Sequence, residues 1–317
     1  MGIVTKFSKA ERRKCKASIV IDGLSGSGKS GLMLSLAYIL SGADWDKVAA
    51  VDTENRSLDL YVGCTLHNGA KVGAFNIGYL AAEDGFKPSY YAAWRDQAIK
   101  EGMSVICCDS LSHAWQYKGG VLEMVNEAML KDRYANKYSI WNTPEIAAEK
   151  NNIYGMIRHR NIHSINTVRV KEKMEFLTED GKTSLKSLGE QQIMTPDFKY
   201  EPDLVLSMLK PGNSKGRAPR VMVDKSRYAP FEVDEEYDMT VEMMEQLRLF
   251  LEEGTSPEEL DEMQRQEYIQ ATTELLESNQ SAKTIWPTLK EQADVGKVPL
   301  KDMPLNKLRL LYTQLST

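Results

Sequence analysis

The chain is poor in cysteine, with 4 in 317 residues, and two of these, Cys107 and Cys108, are adjacent within an apolar run. Neighbouring side chains on a strand point to opposite faces, so the pair cannot close a disulfide framework and reads as two reduced core residues. Long hydrophobic runs are also missing. The longest, residues 31–40, is too short to span a bilayer, and the charged N-terminus has no apolar segment of the signal-peptide kind. Met1-Gly2 is followed by Lys6 where a myristoylation signal needs Ser or Thr. A soluble, cytoplasmic protein with no membrane partner is expected. His159 and His163 stand four apart with no Cys or carboxylate ligands at metal-site spacing, so they read as structural or solvent-exposed.

Positive charge is scarce overall: 40 Lys+Arg against 45 Asp+Glu give a net charge of −5. That excludes a protein coated in basic residues. The imbalance is local, however. Residues 241–317 hold 8 Lys+Arg against 14 Asp+Glu, whereas residues 1–240 hold 32 against 31. Basic residues are concentrated over 155–231 and in an N-terminal run from Lys6 to Lys16. An apolar content of 42% with 27% charged residues excludes disorder and fits a core of 200–250 residues plus an appendage.

Short β-branched runs alternate with helical segments over the first 170 residues. Ala17–Asp22, Lys47–Asp52, Ser104–Asp109 and His163–Val170 read as strands; Ser30–Leu40, Ser89–Glu101 and Trp141–Arg160 read as helices. This alternation implies a parallel sheet. Leu204–Leu209 and Arg220–Asp224 read as later strands, joined by the Gly-, Pro- and Lys-rich segment 210–219. From Val241 the pattern is helical, with Ser256-Pro257-Glu258-Glu259 as an N-cap and first turn. The expected division is therefore an α/β core at 1–240 and an acidic helical region at 241–317.

Gly23-Leu24-Ser25-Gly26-Ser27-Gly28-Lys29-Ser30 matches GxxxxGK[ST] between a strand and a helix. Glycines let backbone N–H groups converge on phosphate oxygens, and the helix adds its positive N-terminal end. Lys29 is placed to reach the β- and γ-phosphates and Ser30 to ligate Mg²⁺. Asp109, ending an apolar strand, is the candidate second metal ligand. Glu54, just past another strand end, is a candidate to polarise the attacking water or a plain surface residue; parallel strands deliver such ends to one crevice.

In this order, GLSGSGKS (23–30), VDTENRSLDLY (51–61), VICCDS (105–110), NTVRVK (166–171) and RVMVDKSRYAPF (220–231) resemble the RecA/RadA-type recombinases. The likeness covers roughly residues 15–235 and is nearest the shorter phage-encoded RecA-like proteins linked to single-strand annealing. The resemblance implies an α/β RecA-like P-loop core with a mainly parallel sheet and a small C-terminal helical region, in the host cytoplasm if phage-encoded. It implies an ATPase using ATP and Mg²⁺, with Glu54 as general base and Asp59 and Tyr61 near the adenine. Lys225 and Arg227 then act on the ATP of a neighbouring subunit, making a homo-oligomer, ring or filament, part of catalysis. Thr167 departs from the family, which usually has a Gln there.

Single-stranded DNA is the implied partner, in recombination or replication. The region beginning at Lys118-Gly119-Gly120 and the stretch Arg169–Lys186 are expected to face it. Within the stretch, Arg169, Lys171, Lys173, Lys182 and Lys186 are available to phosphates and Phe176 to bases, although interspersed acids also fit a solvated hairpin. Residues 241–317 suit a helical packing unit, a docking module for another protein, or an acidic competitor for the basic face. The alternatives for the whole chain are a helicase-loader or motor ATPase on the same core, a P-loop small-molecule kinase, and an ATP-driven conformational switch.

Overall fold

The computed structural model describes residues 9–131, 137–179, 182–195, 197–209 and 217–316. In chain order, the first half comprises β1 (Ser18–Gly23), α1 (Lys29–Leu40), β2 (Val48–Asp52), β3 (Asn76–Tyr79), α2 (Pro88–Lys100), β4 (Val105–Asp109), α3 (Ser112–Gln116), α4 (Val121–Lys131), α5 (Lys137–Trp141) and α6 (Pro144–Arg158). The second half comprises β5 (His163–Glu179), β6 (Lys182–Gln192), β7 (Leu204–Met208), β8 (Arg220–Ser226), β9 (Glu236–Asp238), α7 (Val241–Glu252), α8 (Pro257–Ser278), α9 (Gln280–Gln292) and α10 (Leu305–Leu315).

The sheet order is β3-β2-β4-β5-β1-β7-β8-β9, with β6 paired to β5. All pairings from β3 to β7 are parallel, and those of β7 with β8 and β8 with β9 are antiparallel. The fold is thus α/β with a mainly parallel central sheet and C-terminal helices, the class expected from the sequence. The helix expected over Trp141–Arg160 is α6, which begins at Pro144, where the missing N–H is tolerated in the first turn, while Trp141 closes the separate short α5.

Alternation along the strands makes two cores. Ile19, Ile21, Val48, Ala50, Cys107 and Ile165 face α1, while Val20, Ala49, Val51, Ile106 and Cys108 face the side that contains Tyr91, Ile153 and Met156 of α2 and α6. Cys107 and Cys108 do go to opposite faces, both fully buried. Trp115 and Trp141 stack at 5.7 Å between ring centroids and serve as core anchors. β5 is far longer than the strand expected to end at Val170. Beyond the sheet it pairs with β6 as an antiparallel hairpin, from Val170 opposite Gln192 to Glu179 opposite Lys182.

The chain forms two compact units, one of Cys15–Leu251 and one of Glu252–Thr317 with the N-terminal segment up to Lys14. Helix α7 opens the acidic stretch in composition but packs in the first unit: Met244, Leu247 and Leu251 are buried in the same cluster as Val221 and Val223 of β8. In the second unit α8 begins with a full capping box, Ser256 accepting from Glu259 N–H while the Glu259 side chain accepts from Ser256 N–H. Its core gathers Ala293, Val295, Met303, Leu308 and Leu311.

Phe198, fully buried, pins the segment after β6 against the sheet. Phe198→Ala is expected to destabilise the first unit by about 3–5 kcal/mol through lost burial and the cavity left behind. Urea unfolding measures this, and a loss below about 1 kcal/mol would show that the segment contributes little to the core.

Candidate functional site

Parallel register brings the carboxyl ends of β1, β2 and β4 to the rim where β5 leaves the sheet. Asp52 of β2 pairs with Asp109 of β4, and Gly23 of β1 pairs with Arg169 of β5. The loop Gly23–Gly28 leaves β1 at this level and enters α1. Gly26 and Gly28 have φ of 76° and 94°, conformations that L side chains rarely adopt, so glycine is required where the loop wraps. Gly23 is fixed by space as well, since a Cβ there would lie 2.9 Å from Met208 Cβ.

Lys29, the first residue of α1, turns back over the loop, and its Nζ donates to the carbonyls of Gly23 (2.9 Å) and Leu24 (2.8 Å). Burial lowers its pKa, opposed by the nearby negative charges of Asp109 and Glu54. Ser30 Oγ donates to Asp109 Oδ2 at 2.5 Å, and Thr167 Oγ1 donates to Asp109 Oδ1. Burial pushes the Asp109 carboxyl up while these two hydroxyls hold it down. Thr167 therefore buttresses Asp109 across the β4–β5 pair.

The donor set fits Mg²⁺. A serine hydroxyl and a carboxylate are hard oxygen ligands side by side, which suits an ion that keeps waters and takes its other ligands from phosphates. Among the described residues no group of three or more His, Cys, Asp or Glu gathers to hold a metal without such help. Two buried hydroxyls beside the pair, Ser27 Oγ in the loop and Ser110 Oγ after Asp109, have no hydrogen-bond partner. Each orphan costs roughly 1–3 kcal/mol, a debt that a polar ligand in the loop relieves.

Glu54 is set by the turn after β2. Asp52, pushed up by burial, accepts from Glu54 N–H (2.7 Å) and Leu58 N–H (2.8 Å), and Asn55 and Arg56 take positive φ of 56° and 65°. Two successive non-glycine residues in the left-handed region store strain at this corner. The Glu54 carboxylate is gripped by Arg169: Nε donates to Oε1 at 3.0 Å and Nη2 to Oε2. Arg169 Nη1 donates to Tyr117 Oη at 2.7 Å, and its backbone N–H donates to Ser112 Oγ at 2.9 Å. His113 lies 3.9 Å from Glu54, and its Nδ1 is 2.5 Å from Thr53 Oγ1. Burial, then the Arg169 charge, lower the His113 pKa to about 4, so the ring is neutral at pH 7.

The sequence-derived residues thus divide. Gly23–Ser30, Glu54 and Asp109 converge. Tyr61 joins them, half-buried beside Gly31, where an added Cβ would lie 3.9 Å from its ring. Asp59 is engaged elsewhere, accepting from Tyr79 Oη (2.6 Å) and Arg56 Nε (3.0 Å). Arg169, expected in the phosphate-tracking stretch, pairs with Glu54, and its place in β5 lies opposite Gly23. Lys171 is exposed at the base of the hairpin. The side chains of Lys173, Phe176, Lys182 and Lys186 lie outside the described residues. Lys118 Nζ donates to the Glu83 carbonyl at 2.7 Å.

Lys225 and Arg227 do not reach their own phosphate loop. Antiparallel pairing puts Ser226 opposite Leu204, which is opposite Ile19 near the start of β1. Lys225 Nζ donates to Tyr200 O and borders a cleft of about 780 Å³ with Asp22, Ser207 and Asp224. Arg227 Nη1 donates to buried Asp203 at 2.9 Å, and Arg160 grips the same carboxylate. Thr53, Ser112, His113, Tyr117 and the Arg169–Glu54 pair escaped the sequence reading, since Arg169 and Glu54 are 115 residues apart and carry no shared motif. His163 is buried and structural, accepting Ala17 N–H at Nδ1 (3.0 Å).

No protein-family model matches the chain, and no curated protein matches it. Among solved structures, the KaiC-like protein of the hyperthermophilic archaeon Pyrococcus horikoshii OT3 is similar, at 14% identity, with 70% of this chain and 83% of that one covered and a TM-score of 0.38.

Burial lowers the His163 pKa to about 3 and the His113 pKa to about 4. Unfolded imidazoles take up protons near 6.5, so the unfolded state gains protons first as pH falls. Stability should therefore drop below pH 6.5 toward 4 by up to about 1.4 kcal/mol per pH unit per histidine. Asp22, raised to about 6 by burial, acts oppositely, its ionisation costing stability above pH 6 and the cost receding in acid. His163→Asn should flatten the loss between pH 6.5 and 4.5 in urea titrations; an unchanged slope removes His163 from this balance.

Proposed function

We propose that the chain is a Mg²⁺-dependent, RecA-like ATPase that acts on single-stranded DNA in recombination or replication, as an annealing or recombination mediator. The observation that carries the ATPase reading is the direct contact of Ser30 with Asp109 beneath a complete phosphate loop, with Glu54 alongside. Lys29 and the loop N–H groups bind the β- and γ-phosphates, and Ser30 and Asp109 would hold Mg²⁺, which would supply positive charge against the phosphates. Glu54 accepts a proton from water as the water oxygen bonds to the γ-phosphorus. The bond to the β–γ bridging oxygen breaks, leaving ADP and phosphate. Tyr61 borders the nucleotide beside Ser30, and Asp59 is proposed on the adenine side.

The shared-site part of the reading rests on Lys225 and Arg227. They are remote from their own loop, and buried Asp203 orients Arg227 with its side chain 57% exposed, which suits cations presented to the nucleotide of a neighbouring copy. The DNA part rests on the β5–β6 hairpin, which springs from the strand that carries Thr167 and Arg169, with Lys171 exposed at its base and Lys173, Phe176, Lys182 and Lys186 along it.

Lys29→Ala should abolish ATP turnover, and Glu54→Gln should bind ATP yet turn it over roughly 10²–10⁴-fold more slowly; full activity in either variant removes that residue from the mechanism. Turnover should rise with single-stranded DNA and lose that stimulation steeply across a salt series, as phosphate contacts demand. Stimulation coupled to translocation or loading would favour a motor or loader, and none at low salt a kinase or switch. Lys225→Ala subunits mixed with Lys29→Ala subunits should recover part of the activity; no recovery at any ratio argues against a shared site.

A further inference from the structure

The bidentate Arg169–Glu54 pair sets an obstacle to the chemistry just described. A carboxylate whose two oxygens both accept from one guanidinium is turned toward that partner and has fewer lone pairs free to meet a water. While Arg169 grips Glu54, the guanidinium competes with water for the carboxylate oxygens. The grip is open to exchange: the two side chains are 33% and 25% exposed, and Tyr117 holds the third guanidinium corner from the opposite side.

Arg169 also stands where a competitor would act. In register it is opposite Gly23, the first residue of the phosphate loop, and its charge is felt by Lys29. A guanidinium fork fits a phosphate as well as a carboxylate, and a terminal phosphate carries more charge than Glu54. The backbone of Arg169 is equally committed. Its carbonyl accepts from Ile193 N–H at 2.8 Å, and the next residue, Val170, opens the hairpin pairing with Gln192.

We infer that Arg169 is a positioning residue that holds Glu54 idle and releases it when the terminal phosphate of a bound nucleoside triphosphate takes the guanidinium, so that the occupancy of the loop is transmitted to the β5–β6 hairpin. Other residues frame the latch rather than form it. Thr167 is occupied with Asp109, and His113 is a neutral neighbour. The inference rests on the ATPase reading above and adds to it a regulated resting state.

The test is a double-mutant cycle on the full chain, with Kd measured for ADP and for a non-hydrolysable ATP analogue, each with Mg²⁺. If Glu54 and the terminal phosphate compete for Arg169, Glu54→Gln should raise the preference for the ATP analogue over ADP by about fivefold or more. Arg169→Ala should abolish that gain in the Glu54→Gln background, and Arg169→Lys should keep part of it. Hydrogen exchange of the hairpin amides should differ between the two nucleotides in the wild type and not in Arg169→Ala. Effects of the two substitutions that simply add, or a hairpin response that survives in Arg169→Ala, overturn the latch and leave the ATPase reading standing. A wild-type chain that binds neither nucleotide overturns both. Arg169→Lys serves as the folded comparator should Arg169→Ala lose its structure by circular dichroism.

Discussion

Burying the Asp109 carboxylate is the constraint around which the site is arranged. A charge removed from water is tolerable only with hydrogen bonds and an opposite charge close by. Asp109 obtains these from two different elements: Ser30 and Lys29 from α1, Thr167 from β5. The requirement ties the helix after the phosphate loop to the two central strands β4 and β5. The backbone of the same residue ties the corner after β2, because Thr53 donates its backbone N–H to the Asp109 carbonyl at 2.8 Å and its hydroxyl to the same oxygen at 3.0 Å. One residue, through its side chain and its backbone, thereby fixes the loop, the Ser30–Asp109 pair and the turn that carries Glu54.

Around this anchor the chain sorts its charges by strand level. Strands β1, β2 and β4 end where β5 leaves the sheet, so Gly23, Asp52, Asp109 and Arg169 share one rim, and the antiparallel turn-back of β8 carries Lys225 and Arg227 toward the other end. Each group on the rim is neutralised locally: Asp52 by backbone N–H groups, Glu54 by Arg169, Asp109 by hydroxyls and Lys29. The rim as built is balanced internally, and a polyphosphate binding there must exchange partners with some of these groups rather than fill a bare positive pocket. Arg169, which is part-exposed and held by two neighbours, is the group with most to exchange.

Composition and packing diverge at α7. By charge it begins the acidic stretch, yet Met244, Leu247 and Leu251 recur at helical spacing and close the core under β8. Net charge reports the solvated face of a helix and says nothing of what the opposite face covers. The same separation explains why whole-chain charge was a poor guide to the basic segments of the core.

The phosphate loop was legible in the sequence because its chemistry is local: eight consecutive residues must supply glycine freedom, a lysine and a hydroxyl. The strands ending in Asp52 and Asp109 were legible too, since β-branched runs of five or six residues announce buried parallel strands. The alternation of Cys107 and Cys108 followed from strand geometry alone. The partners of Glu54 were not legible. Arg169 sits in a run with Lys171 and Lys173 and shares their composition, and only the β1–β5 register, opposite Gly23, separates it from them. Pairings across more than a hundred residues depend on which strands become neighbours. Local propensity does not encode that neighbourhood, which tertiary packing alone decides.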